Sequence, residues 1–136
     1  MFTAFDSLAT RHRDAALLLA RLFLSALFLI EAYIKLTNYA GAADYFEQIN
    51  VPLPALALPL SIAFEVAAPV ALIAGILTRP VAFLICLYCI ATALLAHTNF
   101  GNGNELLHFF KNIAIAGGAL SLAVTGSGAL SLDARR

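Results

Sequence analysis

A chain of 136 residues is long enough for one domain and short for two. Apolar residues make up 62% of it and charged residues 12%, about half of the ~25% charged share of soluble domains, so a water-soluble fold is excluded and lipid is the expected solvent. The formal net charge is zero, which leaves no basic footprint for nucleic acid.

The N-terminal segment places Arg11 and Arg13 before an apolar run, as a signal peptide does. Arg21 interrupts that run and no small-residue cleavage site follows, so an uncleaved first span is expected. Four stretches reach the roughly 20 mainly apolar residues of a spanning helix: residues 15–36, 53–77, 80–97 and 106–124. Backbone amides in lipid must bond within their own segment, and the polar alternation of a barrel is absent, so the spans are expected to be helical. The fold class is thus all-α: a single four-helix membrane domain over residues 1–136.

Between the first two spans, residues 40–48 have the makings of a short amphipathic helix lying at the membrane interface, ended by Val51, Pro52 and Pro54. LTRP reads as a tight turn between spans two and three, and the Gly/Asn-rich segment before span four as a loop. Arg11, Arg13, Arg79, Arg135 and Arg136 fall on three segments that four spans place on one side, whereas the other two loops carry Asp44, Glu47 and Glu105. The positive-inside rule then puts both termini in the cytoplasm.

Ionisable residues inside the spans are expensive and usually face a bundle interior. At about 100° per residue, Lys35 lies about −40° and Glu31 about −80° from Arg21, on one side of span one. Glu31 and Lys35 form an i, i+4 pair with the acid first. Glu65 falls near the middle of span two and His97 at the outer end of span three. On span four Glu105, His108 and Asn112 cover about 60°, with Lys111 a further 60° or so round. Glu31, Lys35, Glu65, His97 and Lys111 are therefore expected to line one cavity open to the outer side, with Arg21 as its floor. The competing reading is a set of interhelical ion pairs that only hold the bundle together.

Cys86 and Cys89 have CxxC spacing, but mid-helix among apolar neighbours they read as small packed residues before a redox pair. Gly117 and Gly118, with Ala114 and Ser121 a turn away, suggest close helix approach. The three histidines are too scattered for metal spacing, so no metal is expected. Tyr88 reads as packing or interfacial. No phosphate loop, nucleophile elbow or dinucleotide fingerprint is present.

Arg21, FLIEAYIKL (28–36), NVPLP (50–54), Glu65, AGILTRP (74–80), His97 and residues 111–133, in this order and spacing, resemble the DoxX family of small four-helix membrane proteins. Ala32 stands where family members often have glycine, and Glu31 beside it is not a usual family feature. Arg21, Lys35, Glu65, His97 and Lys111 match the family pattern, which assigns none of them a catalytic role.

The family is named after a subunit associated with thiosulfate:quinone oxidoreduction, and members are often linked to redox settings. The resemblance implies a bacterial-type inner membrane protein whose leading function is that of a quinone-linked redox component or subunit. Lys35 or Lys111 would bond the quinone carbonyl and Glu65 or His97 would relay a proton. No covalent cofactor is expected, and a redox partner protein would supply electrons, with Cys86 and Cys89 as weak donor candidates. The alternatives are a small-molecule or lipid-binding protein, or a structural membrane partner without catalysis. The long first loop is read equally as a homo-oligomer contact or a lid.

Overall fold

A computed structural model describes residues 2–135; Arg136, one of the arginines used for the orientation, lies outside the described residues. Six α-helices follow in order: α1 (Phe2–Arg11), α2 (Arg13–Thr37), α3 (Tyr39–Gln48), α4 (Pro54–Ala74), α5 (Thr78–Ala96) and α6 (Gly103–Thr125), with a 3-10 turn at Asp133–Arg135. Helices α2, α4, α5 and α6 are each long and apolar enough to cross a membrane. The intervening α3 forms where the sequence predicts a short helix, starting at Asn38, whose side chain accepts from the Gly41 amide. Helix α1 was not anticipated.

The solvent pattern of a water-soluble bundle is inverted. Large apolar side chains such as Phe23, Leu53 and Val124 point outward, at 71%, 73% and 69% exposure, as a lipid-facing surface requires. Small residues recur in the interior, with Ala32, Ala82, Ala93, Ala116 and Ala119 all buried beside larger ones such as Phe28, Leu72 and Ile85, which lets helix backbones approach closely. Helix α2 packs along α4, and α5 along α6; lesser contacts of α4 with α5 and α2 with α6 close the four-helix bundle. Gly117 and Gly118, expected at a close helix approach, are not at one within this chain: a β-carbon added at either would meet nothing within 4 Å.

Span two ends earlier than the hydropathy indicates. Gly75 adopts φ +67°, and Ile76 reaches back to the Ala71 carbonyl, a left-handed cap that stops α4 at Ala74. Leu77 turns the chain, and Thr78, Arg79 and Pro80 are already the first turn of α5, so LTRP is a helix start more than a turn. Proline is tolerated there because the first-turn amides have no helical acceptor. Within α4, Pro69 lacks the amide that would bond to the Glu65 carbonyl, a local weakening of the helix beside a buried acid.

The segment after α6 folds back across the end of the bundle at which α2 and α5 begin. Leu132 and Asp133 donate their amides to the Ala74 and Gly75 carbonyls at 3.1 and 2.8 Å. The Asp133 carboxylate accepts from the Leu77 and Thr78 amides, both at 2.9 Å, and so caps α5 with a negative charge at the positive end of its dipole.

Arg21, expected as the cavity floor, belongs to this clasp instead. It is fully buried. It donates to the α4 C-terminal carbonyls of Leu72 (3.0 Å) and Ile73 (3.3 Å) and to Leu130 of the returning segment. Arg79 caps α6 in the same way, 2.6 Å from the Val124 carbonyl, and Arg13 reaches the Thr125 carbonyl at 3.3 Å. Arginines at helix C-termini satisfy carbonyls that have no helical donor and oppose the negative dipole end.

Candidate functional site

At the opposite end the helices diverge around a cavity of about 840 Å³ lined by α2, α3, α4, α5 and α6. Helix α3 supplies one wall through Gly41, Ala42, Tyr45 and Phe46 and packs on both α2 and α4. Most of the lining is apolar, including Leu27, Phe28, Leu60, Phe64, Leu95 and Ile115. The volume falls in the roughly 300–1,000 Å³ range of small-molecule sites, which are mostly apolar with a few placed polar groups.

Those polar groups form a connected chain. Lys35 Nζ lies 3.0 Å from Glu31 Oε2 and 3.0 Å from Glu65 Oε1. The Tyr88 hydroxyl donates to the same Glu65 oxygen at 2.6 Å. Glu65 is 2% exposed, and its other oxygen, Oε2, accepts no hydrogen bond from the described residues. The Tyr88 ring is held by Phe64, with centroids 4.8 Å apart, and by Phe28 in an edge contact at 6.1 Å, so its hydroxyl is aimed by packing.

A second polar group stands where α5 ends and α6 begins. His97 Nδ1 is 2.7 Å from Glu105 Oε2, and the His97 ring stacks on His108 with centroids 5.1 Å apart. His97, His108, Lys111 and Asn112 line the cavity. The Asn112 amide donates to the His108 carbonyl at 3.1 Å. Burial together with the Glu105 carboxylate holds the Tyr45 phenol on α3 above its ordinary range; Glu31 adds to this and Lys35 opposes it. Three walls thus share one electrostatic environment. No cluster of metal-ligand side chains occurs among the described residues.

Of the side chains singled out from the sequence, the fold therefore brings Glu31, Lys35, Glu65, His97, His108, Lys111 and Asn112 to one cavity, with Glu105 behind His97. Arg21 is not among them. Cys89 lines the cavity and Cys86 does not; both are buried free thiols.

The DoxX family model matches residues 16–98. The chain is 41% identical over 120 residues to the inner membrane protein YqjF of Escherichia coli K12, which covers 88% of this chain and 91% of the relative. It is 36% identical over 128 residues to the inner membrane protein YphA of the same organism, covering 90% and 91%. The chain belongs to the DoxX family. With four membrane-crossing helices and these relatives, this DoxX chain is a multi-pass inner membrane protein. No solved structure matches it.

The DoxX cavity includes two residues that sequence reasoning passed over. Tyr88 reads from the sequence as packing or interfacial, yet its hydroxyl donates to the buried acid. Its signal is present: Tyr88 and Thr92 are polar at i, i+4 on a helix that is apolar after its first turn, and both line the cavity. Tyr45 carried no comparable signal, because only the docking of α3 brings it to the cavity.

Proposed function

We propose that this DoxX protein is a quinone-linked redox component or subunit, with both termini cytoplasmic and the cavity open to the outer side. The observation that carries the reading is the Lys35–Glu65–Tyr88 chain, at 3.0 and 2.6 Å, on the wall of a largely apolar cavity. A quinone offers carbonyl acceptors on a flat ring with an apolar tail, and the residues present suit it. Lys35 has a third N–H beyond the two directed at Glu31 and Glu65. Phe28, Phe64 and Ile115 supply apolar walls.

When bound, a quinone supplies the capacity to take up two electrons and two protons. Lys35 orients the carbonyl, and Glu65, in contact with both Lys35 and Tyr88, holds and passes a proton at its carboxylate. The apolar walls exclude bulk water. Electrons come from a partner protein, since nothing in the sequence marks a flavin, haem or iron–sulfur site. The orientation is supported by the basic residues at the clasp end, Arg13 and Arg79 among them.

Native mass spectrometry from mild detergent, with a short-tailed quinone added, tests the reading. Wild type is expected to retain the quinone and Glu65→Gln to lose it. Equal retention, or none in either protein, rejects it.

A further inference from the structure

Charges within the spans of this protein are matched with one exception. Arg13, Asp14, Arg21 and Arg79 bond the backbone at the clasp, Glu31, Lys35 and Glu65 bond one another, and Glu105 meets His97. Lys111 has no hydrogen bond or ion pair among the described residues. It stands about 12 Å along α6 from Gly103 at 1.5 Å per residue, lines the cavity and is exposed. A lysine at membrane depth ordinarily pairs or reaches the interface; this one opens onto a chamber instead.

One neighbour on α6, His108, suits an anion. His108 is one turn before Lys111, is exposed, lines the cavity and stacks on His97. Asn112, next to it, has its amide nitrogen committed to the His108 carbonyl. The remaining walls, Leu60, Phe64, Leu95 and Ile115 among them, are apolar and call for a hydrocarbon portion.

We infer that Lys111, with His108 beside it, is a subsite for the acidic head group of a lipid-phase amphiphile, whose chain lies along the apolar walls. The inference rests on the cavity being a ligand site and not on that ligand being a quinone. A carboxylate and a phosphate monoester share the required chemistry: acidic oxygens that accept charge-assisted hydrogen bonds from an ammonium.

The full-length protein in mild detergent is titrated, with binding read by native mass spectrometry, against oleate, an oleyl phosphate, oleyl alcohol and inorganic phosphate. Wild type is expected to bind oleate or oleyl phosphate at least about tenfold more tightly than oleyl alcohol, a difference of about 1.4 kcal/mol. Which of the two acids binds better identifies the head group. Lys111→Met should lose that preference and Lys111→Arg keep it. Lys111→Met should still retain the short-tailed quinone as wild type does, so the two readings fail separately. Oleyl alcohol binding as well as the acids overturns the inference, as does Lys111→Met binding them like wild type while melting at the wild-type temperature. Inorganic phosphate binding as well as the amphiphiles overturns the role of the apolar walls.

Discussion

The Tyr88 hydroxyl stands 2.6 Å from Glu65 Oε1, the same oxygen that Lys35 approaches at 3.0 Å. A buried carboxylate oxygen thus takes one hydrogen bond from a phenol on α5 and one from an ammonium on α2, joining three helices at one atom. Hydrogen bonds to a charged group are worth about 1.5–3 kcal/mol, so Tyr88→Phe should lower stability by about that amount or somewhat less. The ring contacts with Phe28 and Phe64 survive the change. Thermal unfolding in detergent measures the effect, and a melting temperature equal to wild type would show that the bond contributes nothing.

The two carboxylates that share Lys35 should differ sharply. Glu65 has a side chain 3% exposed and Glu31 one 50% exposed. Removing one partner of a buried pair costs about 3–5 kcal/mol, whereas an exposed i, i+4 pair is worth about 0.3–0.5 kcal/mol. Glu65→Ala should therefore destabilise the protein severely and Glu31→Ala barely. Comparable melting temperatures for the two variants would mean that Lys35 draws its support from Glu31.

The clasp makes a separate prediction. Arg21→Lys keeps the charge but not the planar fork that reaches α4 and the returning segment together, and a loss of about 2 kcal/mol or more is expected. Gly75→Ala should be at least as damaging. Its φ of +67° costs a side chain about 1–2 kcal/mol, and the added carbon would press on Ser131 and on the Arg21 guanidinium. Limited proteolysis should then release the segment after α6. Unchanged protection in both variants would show that the segment is held by other contacts.

Orientation is open to a direct check. Ser7 on α1 and Glu47 on α3 are both exposed, and the proposed topology puts them on opposite sides of the membrane. In spheroplasts, a membrane-impermeant maleimide should label Glu47→Cys and leave Ser7→Cys untouched until the cells are opened. The buried Cys86 and Cys89 serve as silent internal controls. The reverse pattern would invert the topology and turn the cavity toward the cytoplasm.

Much of this protein can be read along the chain. Four apolar runs of spanning length, the Glu31–Lys35 pair one turn apart and the isolated acid at Glu65 are local properties, governed by helix rise and period and by the exclusion of unbonded backbone from lipid. The family pattern was legible for the same reason, since it is carried by residues in order. Tertiary structure alone decided what each charge meets. Arg21 looks like the partner of Glu31 and Lys35 by face, but its depth puts it beside the end of α4, where unsatisfied carbonyls and a returning chain compete for it. Tyr88 becomes part of the site because α5 packs its ring between Phe28 and Phe64 within reach of α4. Periodicity gives the direction of a side chain around its own helix; which carbonyl, acid or cavity lies in that direction depends on how far the neighbouring helices slide along one another, and that is set by packing among residues distant in the chain.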